Sequence, residues 1–210
     1  MVTRNSVYVR DLATLCRILQ RHRLTRKRSL ITTERRPEQR VEWWKRMTDV
    51  PAEDLGFLEL VEAVPRNHGD KLTLLMAIGS DGVTAPLVFP RALTGDLFSQ
   101  WVTEWLVPTL RPGQIVVQDT LSVHRDVRAR TAIEAAGCRL EFLPVYSPDL
   151  NPIELVFAPL KQHVRGAKAR TPNAVMAAIG AGLDQVTRGQ LRNCYRHCGY
   201  GTELLPGQCS

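Results

Sequence analysis

The most restrictive feature of the sequence is a strand–helix–strand pattern over residues 114–143. QIVVQD at residues 114–119 is a short apolar run that predicts a buried strand ending at Asp119. Residues 125–136 have helical character, Gly137 is a plausible helix stop, and RLEFL at 139–143 predicts a second strand. Two strands joined through a helix in this way lie parallel in one sheet. The pattern therefore predicts an α/β fold.

A hairpin and a helix are predicted ahead of this unit. LTLLMAIG and VTAPLVF flank Asp81-Gly82, and two apolar runs around Asp-Gly are a strong hairpin signal. Thr94 is a suitable N-cap for a following helix. The apolar face predicted for that helix consists of Leu97, Phe98, Trp101, Val102 and Trp105. A hairpin followed by a parallel unit predicts a mixed sheet flanked by helices.

The composition is that of an ordinary globular protein. Hydrophobic residues make up 44% and charged residues 23% of the 210 residues. No run approaches the ~18 apolar residues of a membrane-spanning helix, and the N-terminus has no apolar signal core. We therefore expect a cytoplasmic protein with no membrane partner.

The five cysteines do not form a regular framework. Their number is odd and their spacing irregular, which argues against a set of disulfides. Cys194, His197 and Cys198 cluster near the end of the chain, but their spacing is unusual for zinc. A helix end followed by Gly199 is the preferred interpretation.

Positive charge is concentrated near the N-terminus. The net charge is +7, and the stretch 17–46 is strongly basic. Residues 5–28 predict a helix with a basic tail, which is either part of a helix-turn-helix or a peripheral helix. This charge is compatible either with nucleic-acid contact or with a solvated helical face. The candidate DNA-binding residues are Arg21, Arg23, Arg26, Lys27 and Arg28.

Two carboxylates stand out as candidates for chemistry. Asp119 follows a buried strand, and ligands in open α/β sheets bind beyond that end; its alternative role is to cap a turn. His124 either lines the same site or caps the next helix. Glu154 is the third residue of a helix predicted after Asn151, so it either completes a capping box or faces Asp119. Carboxylates so placed can hold hard divalent ions for phosphoryl transfer.

The phrase YSPDLNPIE at 146–154 carries a family resemblance. Together with LVPTLRPGQIVVQD and the closing CGYGT, it resembles the catalytic domain of bacterial insertion-sequence transposases of the Tc/mariner superfamily. The 34 residues between Asp119 and Glu154 match the usual spacing of that family. The resemblance implies an RNase H-like α/β fold with a mixed sheet flanked by helices, preceded by a short helical basic arm.

The resemblance also implies a function and a set of ligands. Asp119 would be the second and Glu154 the third metal-binding carboxylate of a DDE transposase that uses Mg2+, with Mn2+ as a substitute. The partners would be DNA, both the terminal inverted repeats and the target, and a homodimer is compatible with it. The division it suggests is a partial helix-turn-helix at 1–32, a helical linker at 33–54, a catalytic domain at 55–202 and a tail at 203–210.

The sequence departs from the family pattern at the first metal ligand. The family carries an Asp on the first strand, whereas Glu59 in LGFLEL is the nearest carboxylate here, with Asp54 and Glu62 as weaker substitutes. The following segment and the N-terminus are also short for the family, and Thr120 replaces the usual Asn. A catalytically decayed remnant that keeps the fold and binds DNA nonspecifically is therefore the alternative. An unrelated RNase H-like nuclease or binding module is a third interpretation.

Overall fold

A five-stranded mixed sheet forms the centre of the protein. The structure is a computed structural model that describes residues 36–63, 72–119 and 126–201. The chain divides into two compact units, Met1–Thr33 and Glu34–Ser210, and every described residue belongs to the second unit. The helix predicted over residues 5–28 and the candidate DNA-binding residues lie outside the described residues.

The strands follow the order β3-β2-β1-β4-β5 across the sheet. β1 pairs antiparallel with β2, and β2 with β3, whereas β4 is parallel to both β1 and β5. This pairing confirms the predicted hairpin, the parallel strand–helix–strand unit and the mixed sheet. The strands are β1 (Leu55–Ala63), β2 (Leu72–Ile78), β3 (Val83–Phe89), β4 (Ile115–Gln118) and β5 (Arg139–Phe142).

Six α-helices accompany the sheet in the described part of the chain. No helix there is long and apolar enough to cross a membrane. The helices are α1 (Pro37–Met47), α2 (Gly95–Trp101), α3 (Val127–Ala135), α4 (Pro152–Gly166), α5 (Pro172–Leu183) and α6 (Arg188–His197).

Alternation along the strands divides the apolar residues between two cores. Successive side chains of a strand point to opposite faces, so Phe57 and Val117 lie on one face and Leu58 and Val116 on the other. The site-side core, packed by α1 and α4–α6, includes Trp43, Met47, Leu55, Phe57, Met76, Ile78, Val117, Ile153, Phe157, Leu160, Ile179, Leu191, Tyr195 and Tyr200. The far-side core, packed by α2 and α3, includes Leu58, Leu75, Phe98, Trp101, Val102, Leu106, Val116, Ile133 and Leu140.

Helix α1 belongs to the packed part of the protein. Its residues Trp43 and Met47 are 0% and 2% exposed and contribute to the site-side core. The helical linker predicted at 33–54 thus contains a helix at Pro37–Met47. The segment interpreted as a linker buries apolar surface against the sheet.

The prediction that Trp105 lies on the buried face of its helix was wrong. Thr94 does cap α2, accepting a hydrogen bond from the backbone N–H of Leu97 at 3.3 Å. Residues 102–106, however, form a π-helical turn, which is wider than an α turn. Within this turn Leu106 is buried in the far-side core, whereas Trp105 is 48% exposed.

Candidate active site

The register between β1 and β4 places Glu59 level with Asp119. Leu55 pairs with Ile115 and Phe57 with Val117 in a parallel ladder. Continuing that register by two residues brings Glu59 beside Asp119, which directly follows β4. Strand alternation directs both positions to the face of Phe57 and Val117. Two carboxylates therefore lie next to each other at the edge of the site-side core.

Helix α4 brings the third carboxylate to the same place. Glu154 lies in its first turn and is exposed, whereas Ile153 and Phe157 beside it are buried in the site-side core. Glu59, Asp119 and Glu154 line a cavity of about 340 Å3, together with Asn151 and the loop 143–148. The structure thus brings the three carboxylates singled out in the sequence into one cavity.

Asn151 does not act as the predicted side-chain cap of α4. It occupies the N-cap position, but its side chain makes no capping hydrogen bond. Its Nδ2 instead donates to Glu59 Oε2 at 3.0 Å, and the same carboxylate accepts from the backbone N–H of Leu60 at 3.1 Å. The capping box of Asn151 with Glu154 was therefore a wrong alternative. The amide is used to hold Glu59.

The turn before α4 is held from two sides. Arg40 of α1 donates two hydrogen bonds to the carboxylate of Asp149, at 2.7 and 3.1 Å. Tyr200 donates from its hydroxyl to the carbonyl of Leu150 at 2.7 Å and accepts from Trp43 Nε1 at 3.1 Å. These contacts fix the backbone that leads into Asn151 and Glu154.

Burial keeps the tyrosine of this support in its neutral form. Burial raises the pKa of Tyr200 above its ordinary value of 10.0, which the bond from Trp43 offsets only in part. Burial likewise raises the pKa of Tyr195, whose hydroxyl reaches the carbonyls of Leu55 and Ile78. Both hydroxyls therefore remain protonated donors even when the pH rises above the ordinary tyrosine value of 10.0.

The oxygen atoms of the cavity suit a hard divalent cation. Asn151 is 3% exposed, and no donor in the described ranges reaches its Oδ1. Carboxylate and amide oxygens are the ligands that Mg2+ and Mn2+ prefer. No three His, Cys, Asp or Glu side chains among the described residues are grouped closely enough to form a complete metal cluster. Mg2+ commonly uses one or two carboxylates and completes its shell with substrate phosphates and water, so the residues fit such an ion.

The other candidate ligands are either distant from Glu59 or outside what the structure describes. Asp54 ends the 3-10 helix that precedes β1, and the strand from Leu55 to Glu59 alone spans about 13 Å at 3.3 Å per residue. Glu62 is part of β1, but its side chain is outside what the structure describes, as is the whole of His124. The helix end predicted at Gly199 is confirmed, because α6 ends at His197 and Gly199 has a φ of 92°.

Two cavity residues, Asn151 and Tyr146, were not predicted as site residues from the sequence. The bond from Asn151 to Glu59 joins positions 92 residues apart, which no local pattern reveals. Tyr146 lines the cavity with its side chain 52% exposed and has a φ of 54°, a left-handed conformation that is uncommon for tyrosine. Such backbone outliers cluster at ligand-binding sites.

Comparison with protein families gives one match over most of the sheet and α4. The sequence profile described as DDE superfamily endonuclease matches residues 59–175, which is more than half of the chain. The match begins at Glu59 and includes Asp119 and Glu154. No curated protein matches the sequence.

Solved structures share the fold at low sequence identity. The Mos1 transposase catalytic domain with Raltegravir and Mg has a TM-score of 0.64 and 14% identity, over 75% of this chain and 83% of its own. A pre-cleavage Mos1 transpososome has a TM-score of 0.62 and 14% identity, over 89% and 67%. A simian T-cell lymphotropic virus intasome in complex with PP2A regulatory subunit B56 gamma has a TM-score of 0.50 and 15% identity, over 68% and 54%. These likenesses confirm the predicted RNase H-like α/β fold.

Proposed function

We propose a DNA-cleaving function for this chain because it belongs to the DDE superfamily endonucleases. We infer in particular that it is the transposase of an insertion sequence. It would cleave DNA at the terminal inverted repeats of the element and join the freed end to target DNA. Its metal-binding residues would be Glu59, Asp119 and Glu154.

The observation that carries the proposal is the shared cavity of these three carboxylates. Two of them come from adjacent parallel strands and the third from the first turn of α4. Each element is anchored in the site-side core, through Phe57, Val117 and Ile153 respectively. Carboxylates on rigid elements can be held at the positions that phosphoryl transfer requires.

The reaction consists of two displacements at phosphorus. Water attacks a phosphodiester at the element end, the bond from phosphorus to the 3′ oxygen breaks, and a free 3′-hydroxyl results. That hydroxyl then attacks a phosphodiester of the target, forming one P–O bond as another breaks. Bound divalent ions supply activation of the attacking oxygen and stabilisation of the charge on the phosphate. Glu59, Asp119 and Glu154 would hold the ions, Asn151 would orient Glu59 through its hydrogen bond, and the protein would form no covalent intermediate.

The outer face of α4 supports DNA as the substrate. Lys161 and Arg165 follow Glu154 at helical spacings of seven and eleven residues, and all three side chains are exposed. At 1.5 Å per residue they lie about 10 and 16 Å from Glu154 along the helix axis. A phosphate backbone leaving the cavity along this face would meet both cations, and such contacts position DNA without reading its sequence.

Metal-dependent cleavage tests the proposed function directly. The full chain is incubated with labelled duplex from the DNA that flanks its coding region, with Mg2+, with Mn2+, or with EDTA. We expect cleavage with either ion and none with EDTA. Asp119→Asn and Glu154→Gln should reduce it to background, because each loses a charged ligand. Glu134→Gln, an exposed change on α3, is the matched control and should retain full activity.

The remaining outcomes separate the alternatives. Cleavage lost in Asp119→Asn but kept in Glu59→Gln would retain the enzyme and exclude Glu59 as a ligand. Absence of metal-dependent cleavage by folded protein that binds the duplex would overturn the active-enzyme proposal and support a decayed remnant.

A further inference from the structure

We propose that Asn151 is a further metal-site residue, whose Oδ1 is a neutral ligand for the divalent ion while its Nδ2 orients Glu59. The inference deepens the proposed function and rests on it. The two polar atoms of one buried amide then have different roles: Oδ1 binds the ion and Nδ2 binds Glu59.

Burial and hydrogen bonding single out this side chain. Asn151 is 3% exposed and lines the cavity of Glu59, Asp119 and Glu154. Its Nδ2 has a partner in Glu59, but its Oδ1 has none within the described stretches of the chain. A buried amide oxygen without a partner is destabilising. A cation in the same cavity supplies the partner that this oxygen lacks.

The orientation of the amide follows from its neighbour. A carboxylate accepts hydrogen bonds, so the amide must present Nδ2 to Glu59. A rotation by half a turn would bring two acceptor oxygens together at about the 3.0 Å now spanned by the hydrogen bond. The bond to Glu59 thereby fixes Oδ1 on the other side of the amide.

Capping does not account for an asparagine at this position. At the starts of α2, α5 and α6 the N-cap side chains of Thr94, Thr171 and Thr187 accept from backbone N–H groups at 3.2–3.3 Å. Asn151 occupies the equivalent position of α4 and makes no such bond. Its side chain is turned away from the helix and toward the carboxylate.

The backbone holds Asn151 in place for this role. Its N–H donates to the carbonyl of Pro148 at 3.0 Å, and the preceding Leu150 carbonyl accepts from Tyr200 at 2.7 Å. Pro152 follows at the first helical position, where its ring restricts φ. A ligand on a constrained backbone loses little freedom when an ion binds, which favours binding.

Direct metal binding tests the inference without any activity measurement. The affinity of the full chain for Mn2+ is measured by calorimetry and by the electron paramagnetic resonance signal of free Mn2+. We expect Asn151→Ala to lower the affinity about 10- to 100-fold, the range typical of lost supporting groups at metal sites. Thr171→Ala is the matched control, because it removes a side-chain cap far along the chain from the cavity. It should lower the melting temperature and leave the Mn2+ affinity unchanged.

A charge-introducing variant separates ligation from structure. Asn151→Asp puts two carboxylates side by side, so we expect a lower melting temperature without metal and a larger Mn2+-induced rise than in the unmodified chain. If Asn151 serves only to hold Glu59 through Nδ2, the aspartate removes that hydrogen bond and adds no ligand, so the Mn2+-induced rise should not exceed that of the unmodified chain. This comparison decides the matter where Asn151→Ala does not fold.

Three results would overturn the inference. Unchanged Mn2+ affinity in folded Asn151→Ala would do so, and so would an Mn2+-induced rise in Asn151→Asp that does not exceed that of the unmodified chain. In either case, a loss of Mn2+ binding in Asp119→Asn would show that the carboxylates bind the ion, and the proposed function would still hold. No Mn2+ binding by the unmodified chain would instead overturn the proposed metal site together with this inference.

Discussion

The two faces of the sheet differ in how many buried hydrogen bonds accompany their apolar contacts. On the far side, α2 and α3 contribute apolar side chains, with Trp101 Nε1 donating to the carbonyl of Ala85. On the site side, hydroxyls and ring N–H groups lie within the core itself. Trp43 and Tyr200 bond to each other, and Tyr195 reaches backbone carbonyls of two strands. The directional bonds are thus concentrated behind the cavity.

This difference suggests why one face carries the site. Apolar contacts stabilise a fold without fixing the orientation of any one group. Hydrogen bonds are directional, and those that Tyr200 and Arg40 donate end on the turn that precedes Asn151 and Glu154. Far-side substitutions should therefore change stability alone, whereas site-side substitutions that disturb α4 or the turn before it should change stability and metal binding together.

The largest expected effect comes from truncating one aromatic residue on each face. Phe157→Ala and Phe98→Ala each remove a side chain that is 1% exposed. Each should lower the free energy of unfolding by about 3–5 kcal/mol, because a cavity remains in a packed core. Only Phe157→Ala should also weaken Mn2+ binding, since Phe157 lies one turn from Glu154 on α4. Urea unfolding and Mn2+ titration measure the two quantities.

Equal loss of Mn2+ affinity in both variants would contradict the comparison. Phe157→Leu and Phe98→Leu give a milder version of the same pair for use where an alanine variant does not fold.

High pH should destabilise the protein, and part of this loss of stability should come from buried titratable groups in the site-side core. Burial raises the pKa of Cys198 from 9.0 to about 12, and it also raises the pKa of Tyr200. The folded state then holds protons that the unfolded chain releases, so the stabilisation is complete below pH 9 and is lost as the pH rises toward 12. Each such group lowers the free energy of unfolding by about 1.4 kcal/mol per pH unit in its window.

Urea midpoints between pH 8 and 11 measure this dependence. Cys198→Ala should make it shallower, because the thiol no longer titrates on unfolding. Thr187→Ala, a cap variant without a titratable group, should lower stability and retain the full slope. An unchanged slope in Cys198→Ala would exclude the thiol as a source of the pH dependence.

The fold was predictable where local patterns decide the structure. The apolar run before Asp119 and the glycine stop at Gly137 are local signals, and they located β4, α3 and β5. Trp105 shows the limit of such patterns. The α-helical period placed it inside, but the chain forms a π turn there, which no spacing in the sequence announces.

The site was predictable only in part, since its assembly depends on long-range pairing. Asp119 was recognisable because it follows a predicted strand. Glu154 was recognisable because it lies at a predicted helix start, within the motif YSPDLNPIE. That Glu59 lies level with Asp119 depends on the register between strands 60 residues apart. The position of Asn151 suggested a cap, and its actual partner is 92 residues away. Assignment of these residues as metal ligands stays a prediction.

Removing one tyrosine hydroxyl at a time tests which hydrogen bonds of the site-side core support the cavity. Tyr200→Phe leaves Trp43 Nε1 and the Leu150 carbonyl without their partner, which should cost about 1–3 kcal/mol. It should also weaken Mn2+ binding, because the turn before Asn151 loses a support. Tyr195→Phe is the matched control, since that hydroxyl bonds to Leu55 and Ile78. It should cost a similar free energy and leave Mn2+ affinity unchanged.

The smallest expected effects on stability come from removing one of two ion pairs. Arg40 bonds to Asp149 with its side chain 18% exposed, whereas Arg130 bonds to Glu134 on α3 with 42% exposed. Arg40→Ala and Arg130→Ala should each cost less than about 1 kcal/mol, because solvated pairs contribute little. Arg40→Ala alone should lower Mn2+ affinity, since it frees the turn that leads into Asn151.

Reversing the charges of the first pair tests the pairing itself. Arg40→Asp combined with Asp149→Arg should recover part of the Mn2+ affinity that each single change loses, because the link between α1 and the turn is restored. Additive losses in the double variant would show that the two residues act independently. In that case the hydrogen bonds of Tyr200 alone would account for the support of the cavity.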